Sequence, residues 1–139
     1  MTFLPKADRD YLQTKGIDFE LRVERIPDGS ERKGVVFPQF DFEGELYSIV
    51  DGKPLKVAQC MLLILIPSGY ATTKLDSFYS SPGLRRADGG MPAQAASEQE
   101  LFGVRWQFWS RHLEDKEWRV GVDGLETYLQ YVRAALRVA

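Results

Sequence analysis

The sequence predicts an α+β fold, in which an antiparallel four-stranded meander is flanked by an N-terminal helix and by a C-terminal helix packed on the sheet. Two segments have helical patterns, one at each end of the chain, and the apolar segments between them have the lengths and alternation of strands. At 139 residues, 44% of them hydrophobic, the chain is long enough to bury a core of its own. We therefore expect one domain spanning residues 1–139.

The C-terminal helix has the strongest local signal. Asp123 and Glu126 form a D-x-x-E capping pattern, in which the two side chains accept hydrogen bonds from backbone N–H groups of the first turn. Apolar residues then recur at helical spacing on one side of the helix, at Leu125, Tyr128, Leu129, Val132, Ala135 and Leu136. This stripe has to be buried, which predicts that the helix packs on the sheet.

The N-terminal part of the chain predicts a short helix followed by a strand. Residues 5–15 have a helical pattern, which Pro5 begins and Gly16 ends. From Phe19 to Glu24, apolar and charged residues alternate. That period of two indicates a strand with one face in water.

Three further strands are predicted in the middle of the chain. Gly34 to Phe42 predicts an edge or bulged strand, because Pro38 has no N–H to donate. Cys60 to Ile66 is continuously apolar and follows the Asp51-Gly52 turn, which predicts the central strand, buried on both faces. Leu75 to Tyr79 predicts a shorter strand that ends at Pro82. Residues 83–100 are small, polar and rich in Gly and Pro, so they predict a long loop, either a functional lid or a disordered segment.

Composition excludes several classes of function. The net charge of -2 disfavours binding to nucleic acid, and the longest apolar run, Cys60 to Ile66, is far shorter than the roughly 20 residues that span a bilayer. The N-terminus has no signal-peptide pattern, so we expect a cytoplasmic protein without membrane contacts. One Cys and one His cannot fill a zinc site, and phosphate-binding glycine motifs are absent. No cofactor or metal is predicted.

Three local patterns carry a resemblance to a known family. Leu65-Ile-Pro-Ser-Gly-Tyr70 is similar to an F-P-x-x-Y-P motif, with Ile66 in place of Phe and Ala71 in place of the last Pro. Trp118, followed by the apolar stripe of the last helix, is similar to a W-x-P…I…L…I…L pattern, with Val120 in place of Pro. His112 is the third pattern. Together they resemble the ubiquitin-conjugating enzyme (UBC) superfamily, and especially its prokaryotic family E, over about Phe19 to Leu136.

The resemblance implies a fold, a site and partners. It implies a UBC-like domain that carries a ubiquitin-like protein, receives it from a ThiF-type activating enzyme, and shares its pathway with a JAB-type protease. In the superfamily the catalytic Cys lies about eight residues before the Trp of the second pattern, and that position is Ser110 in this sequence. His112 matches the histidine that family E places just after its catalytic residue. Ser110 and His112 are thus the candidate catalytic residues.

The hydroxyl at position 110 leaves the chemistry open. A thiol both accepts and releases acyl groups readily, whereas a serine ester forms and breaks slowly. Ser110 therefore indicates a serine-using enzyme, an inactive relative that only binds its partners, or a deliberate replacement of Cys. Ser110 and His112 are two residues apart and would share a face of an extended segment, although a surface hydroxyl and an ordinary histidine give the same pattern.

Other conspicuous residues have a structural interpretation. Cys60 begins the most apolar strand, where a free thiol behaves as a small buried hydrophobe. Trp106, Trp109 and Trp118 have no basic stripe beside them and are expected in the core. Tyr70 is expected to pack rather than to react. An unrelated α+β domain with a similar terminal helix is the third hypothesis, after the carrier and the inactive binding module.

Overall fold

The structure is a computed structural model that describes residues 3–70, 74–110, 118–120 and 122–139. Within these residues, two helices and eight strands follow one another. Their bounds are α1 Lys6–Thr14, β1 Glu20–Arg25, β2 Glu31–Asp41, β3 Tyr47–Val50, β4 Lys53–Lys56, β5 Gln59–Leu65, β6 Phe78–Ser81, β7 Ser97–Leu101, β8 Val104–Trp109 and α2 Leu125–Val138. The predicted α+β class, with a helix at each end, is confirmed.

The main sheet is antiparallel and has six strands in the order β1-β2-β5-β6-β8-β7, so the prediction of four strands is wrong. The two additional strands are β7 and β8, which form a hairpin at one edge. A separate two-stranded sheet, β3 with β4, turns at Asp51 and Gly52, both of which have positive φ. That conformation suits a tight hairpin turn, so the Asp51-Gly52 turn joins these two strands.

The strand containing Pro38 is bulged and is not an edge strand. β2 lies between β1 and β5, and its register with β5 shifts between Phe37 and Phe40. The bulge accommodates the proline, which cannot donate to the ladder. β5 is an inner strand, as predicted, with Leu62, Leu63 and Ile64 fully buried. The strand predicted from Leu75 begins only at Phe78 and reaches Ser81.

The prediction that residues 83–100 form one long loop is wrong from Ser97 onward, whereas residues 83–96 contain no helix or strand beyond an isolated bridge at Arg85. Ser97 to Leu101 is strand β7, and Arg85 pairs with Tyr47 through two backbone hydrogen bonds of 2.7 and 2.8 Å. Leu84 and Ala95 are fully buried. This segment is therefore anchored to the folded domain through Leu84, Arg85 and Ala95.

The two faces of the sheet are covered differently. The larger core lies between the sheet and the helices, where the apolar stripe of α2 is buried as predicted. A smaller core on the opposite face contains Leu63, Tyr79, Leu101 and Trp106. The sheet curls so strongly that Phe102, at the tip of the β7–β8 hairpin, lies over Gly34 of β2. The backbone N–H of Phe102 also donates to the Glu24 carboxylate of β1, at 3.2 Å.

The N-terminus of α2 is capped by a residue from the other helix. Leu125 donates its backbone N–H to Oδ1 of Asp8 in α1, at 3.1 Å, and the N-cap residue is Gly124. Asp123, which the sequence predicts as the cap, instead accepts hydrogen bonds from the Arg119 backbone and side chain and from Thr127. The predicted capping box is therefore wrong, since a tertiary contact supplies the carboxylate.

Candidate functional site

Ser110 lies where β8 leaves the sheet. Trp109, the last residue of β8, pairs with Phe78 at the start of β6, and Ser110 is the next residue along the chain. Its backbone N–H donates to the carbonyl oxygen of Gln94, at 3.0 Å. The side chain is partly exposed. Ser110 thus combines a fixed backbone with access to solvent.

A buried glutamine fixes the segment that carries Ser110. The side-chain amide of Gln107 donates to the carbonyl oxygens of Leu84 and Ala95, both at 2.9 Å. Its Oε1 accepts hydrogen bonds from the Leu84 N–H at 2.7 Å and from the Ser80 hydroxyl at 3.0 Å. All of the side chain's strong hydrogen-bonding groups thus have partners, as a buried amide requires.

Trp109 completes this network, because its indole N–H donates to the Ser80 Oγ at 2.9 Å. Its ring stacks on Phe78 with the centroids 5.4 Å apart. The network joins β6, β8 and the segment between them just before position 110. Sequence reasoning missed Gln107, although a lone amide within the apolar W-Q-F-W stretch was the available signal.

Trp118 and Tyr70 form a second fixed element. Trp118 is 7% exposed, and its ring centroid lies 6.4 Å from that of Tyr70. The Tyr70 hydroxyl donates to Oδ2 of Asp8 at 2.6 Å. Burial is the main reason that the pKa of Tyr70 is raised above its ordinary value, with the Asp8 carboxylate adding to the effect. The predicted packing role of Tyr70 is confirmed.

The carboxylate of Asp8 connects three parts of the chain. It is 6% exposed and bonds both the Tyr70 hydroxyl and the N-terminus of α2. A Cβ on Gly124 would lie 2.5 Å from Asp8 Oδ1, so only glycine allows this close approach. The sequence shows no sign of this role, since Asp8 resembles any other acidic residue of a short helix.

The structure does not bring a thiol to Ser110. Cys60, the only cysteine, is 5% exposed, and burial raises its pKa to about 12. Met61, the residue after Cys60, pairs with Ser81 at the C-terminal end of β6. Ser110 follows Trp109, which pairs with Phe78 at the N-terminal end of β6, so Cys60 and Ser110 lie at opposite ends of this strand. The predicted burial of Cys60 is confirmed. His112 lies outside the described residues, so its predicted approach to Ser110 stays a prediction.

A groove of about 550 Å³ opens at the same end of the sheet as Ser110. Leu65, Pro67 and Tyr79 contribute apolar surface, and charged side chains such as Lys74 also line it. Ser77 also lines the groove and directly precedes Phe78 of β6. Phe78 pairs with Trp109 of β8, and Ser110 directly follows Trp109. The groove thus extends to Ser77, beside the strand pair that Ser110 follows, and its lining residues do not include Ser110.

Comparison with models of protein families identifies the family of this chain. A sequence model described as prokaryotic E2 family E matches residues 4–139, nearly the whole chain. The chain belongs to this family. No curated protein and no solved structure gives a match.

Membership of prokaryotic E2 family E indicates a role like that of ubiquitin-conjugating enzymes, which involves ubiquitin-like modifiers and activating enzymes in general. Two of the three sequence patterns that carried the resemblance meet in the fold, where Tyr70 of the first packs on Trp118 of the second. All three tryptophans are buried, as predicted.

Two negative findings concern the described part of this family E chain. Neither of its helices is long and apolar enough to cross a membrane. The described side chains also include no group of three or more His, Cys, Asp or Glu placed to hold a metal ion.

Proposed function

We propose that this protein is a carrier in a bacterial pathway that conjugates a ubiquitin-like protein, with the Ser110 hydroxyl as acceptor and His112 as the proton-accepting residue. It would receive the modifier from a ThiF-type activating enzyme and pass it to an amine. A JAB-type protease would remove the modifier in the same pathway. The observation that supports this proposal is the position of Ser110, partly exposed at the end of β8 and eight residues before the buried Trp118.

Loading would exchange one acyl bond for another. The Ser110 Oγ attacks the carbonyl carbon of the thioester that joins the modifier to its activating enzyme. The carbon–oxygen bond forms, the carbon–sulfur bond breaks, and the hydroxyl proton passes through His112 to the departing thiolate. Discharge repeats this exchange with an amine as nucleophile. The carbon–nitrogen bond forms, and the serine oxygen leaves with a proton.

The choice of nucleophile sets the rate of both steps. A thiol with a pKa of about 8.5 is partly ionised near neutral pH, whereas a serine hydroxyl requires a base to remove its proton. An ester oxygen is also a poorer leaving group than a thiolate. We therefore expect the Ser110 adduct to form slowly and to resist thiols.

A second function, binding without acyl transfer, is favoured by one specific observation. The only thiol of the chain is buried and has a raised pKa, so it does not offer the thiolate that a thioester carrier needs. In this alternative the protein holds a ubiquitin-like protein or its activating enzyme, and Ser110 takes no part in chemistry.

Adduct formation separates the two functions. The chain is incubated with the ThiF-type enzyme, the ubiquitin-like protein and ATP, and adducts are resolved by mass under reducing and nonreducing conditions. Ser110→Cys should form an adduct that reducing agent cleaves, while the unaltered chain should form a thiol-resistant ester that Ser110→Ala abolishes. Ser77→Ala is the matched control, because Ser77 lies at the same end of the sheet and is one residue beyond the same strand pair.

Four outcomes would contradict the carrier proposal or its details. The carrier function is wrong if neither the unaltered chain nor Ser110→Cys forms an adduct, an adduct on Ser110→Cys alone would favour the binding function, and titration with the ubiquitin-like protein then tests binding directly. A reducible adduct on the unaltered chain, lost in Cys60→Ala, would move the acceptor to β5. We expect His112→Ala to slow discharge to an amine more than loading, and equal slowing of both steps would exclude the proposed role of His112.

A further inference from the structure

The outer edge of β7 has an unusual arrangement of charge and backbone groups. β7 is the last strand of the sheet, and Ser97 to Glu100 are all exposed. Its sequence, S-E-Q-E-L, places Glu98 and Glu100 on one face of the strand. Within the described chain, no other strand pairs with this edge.

The turn of the β7–β8 hairpin determines which backbone groups face outward. Leu101 pairs with Val104, and the two residues between them, Phe102 and Gly103, both have positive φ. In such two-residue hairpins the flanking pair exchanges both hydrogen bonds, and bonded and non-bonded pairs then alternate along the ladder. Glu98 and Glu100 therefore occupy non-bonded positions, with their N–H and C=O groups directed to the open edge.

We propose that this edge binds an extended, lysine-rich segment as an additional strand, and that the segment belongs to the protein that receives the modifier. The outward N–H and C=O groups of Glu98 and Glu100 would pair with the backbone of that segment, as in other cases of strand addition. The identity of the segment as the acceptor rests on the proposed carrier function. The proposal that this edge binds a basic strand does not depend on the carrier function.

Charge selects this occupant over a second copy of the chain. Two β7 edges paired with each other would bring four glutamates together, and like charges on adjacent strands are destabilising. Arg105 does not remove the acidic character of the edge. Its guanidinium bonds Glu98 at 2.6 Å and offsets one of the two negative charges, which leaves this group of three side chains with a net charge of about -1. The edge therefore keeps a net negative charge, with Glu100 as the carboxylate that Arg105 does not bond.

The edge also leads to the candidate site. Ser97 pairs with Phe108, and the Gln94 carbonyl, three residues before β7, accepts the N–H of Ser110. A strand added outside β7 would therefore run past the end of the sheet at which Ser110 lies. A lysine of that strand would approach the acyl group from the side of residues 94–97.

The binding test uses the unmodified, isotope-labelled chain and three short synthetic peptides. One peptide alternates lysine with threonine, the second alternates lysine with proline, and the third alternates glutamate with threonine. Proline keeps the charge but prevents strand pairing. We expect the Lys/Thr peptide to shift the amide signals of residues 97–101 and the other two peptides to leave them in place. Equal binding of the Lys/Pro peptide would overturn strand addition, and shifts confined to β1 would place the site at the other edge.

Variants separate local charge from the overall field of the protein. Changing both Glu98 and Glu100 to Gln should weaken Lys/Thr binding by about fivefold, since each cross-strand ion pair contributes modestly. The matched control changes Glu20 and Glu31 to Gln, which removes the same charge from exposed positions on β1 and β2. We expect that control to stay within about twofold. Equal weakening in the two variants would refute recognition at β7.

Discharge from the loaded Ser110→Cys variant tests the link to the proposed function. With the Lys/Thr peptide as acceptor, the Glu98 and Glu100 substitutions should raise the peptide concentration needed for half-maximal rate about fivefold. They should not change discharge to free lysine. An unchanged peptide requirement would show that the segment is not the acceptor, while failure of the variant to load would count against the carrier function and leave the binding result intact.

Discussion

Replacing Asp8 by Ala should destabilise the fold strongly, because this carboxylate links α1, Tyr70 and the N-terminus of α2. The substitution removes two hydrogen bonds, of 2.6 Å from the Tyr70 hydroxyl and 3.1 Å from the Leu125 N–H. It leaves both donors in a largely buried region, since Asp8 is only 6% exposed and Leu125 is fully buried. The effect should far exceed that of a typical surface substitution.

The magnitude follows from these two contacts. A hydrogen bond to a charged group contributes about 1.5–3 kcal/mol, and the loss of a helix cap costs about 0.5–2 kcal/mol. Relief of the desolvation of the carboxylate offsets part of the sum. We expect a loss of about 2–4 kcal/mol for Asp8→Ala, and about 1.5–3 kcal/mol for Tyr70→Phe, which removes the single hydrogen bond from the hydroxyl to this carboxylate. The double variant should lose less than the sum of the two, because they share a contact.

Urea unfolding followed by tryptophan fluorescence measures these free energies, since all three tryptophans are buried. The matched control is Asp10→Ala in the same helix. Asp10 pairs with Lys6 at 2.6 Å, but both side chains are more than half exposed, so we expect a loss below about 0.5 kcal/mol. The proposed cap is refuted if Asp8→Ala and Asp10→Ala have the same stability, or if Asp8 and Tyr70 substitutions are additive.

Three further perturbations test the core, the curl of the sheet and the loop before α2. Trp118→Ala should cost about 3–5 kcal/mol of unfolding free energy, and an unchanged melting temperature would place this side chain at the surface. Gly34→Ala should cost about 1–3 kcal/mol of unfolding free energy, because the added Cβ would lie 2.8 Å from a carbon of Leu63. The control Gly83→Ala has open space around the added Cβ and should be nearly neutral in the same urea titration. Hydrogen bonds from the side chain and backbone of Arg119 lower the pKa of Asp123 from 3.8 to about 2, so its contribution to stability is complete above pH 3.8 and is lost as the pH falls through about 2. Asp123→Asn should therefore differ most from the unaltered chain above pH 4, with the two acid-unfolding curves converging toward pH 2, and a constant difference would contradict this linkage.

The helices and the inner strands could be predicted because their signals are local. The stripe of α2 from Leu125 to Leu136 and the apolar run of β5 have the required periods within the segment itself. β7 gives no such signal. Its S-E-Q-E-L sequence has one buried residue, Leu101, and it forms a strand by pairing with β8 and not through its own propensity. For that reason β7 was not predicted. β8, the other additional strand, has a local signal that was missed, since Val104, Trp106 and Phe108 alternate with Arg105 and Gln107.

The candidate site could likewise be predicted only in part from the sequence. Position 110 followed from its spacing to Trp118 and from the family resemblance, and both are properties of the sequence. The residues that fix the surroundings of the site are separated along the chain. Asp8 reaches Leu125 across 117 positions and Tyr70 across 62, and Gln107 reaches Leu84 across 23.

By itself the sequence determined the α+β class and the family, and it made Ser110 the candidate acceptor, because short patterns and spacings encode these properties. Only the tertiary structure decided that Asp8 caps α2 in place of Asp123, that Cys60 and Ser110 lie at opposite ends of β6, and that the β7–β8 hairpin extends and curls the sheet. The physical reason is that a buried carboxylate, a strand without its own apolar stripe and a tight glycine contact are each stabilised by partners distant in the chain, which local patterns do not specify.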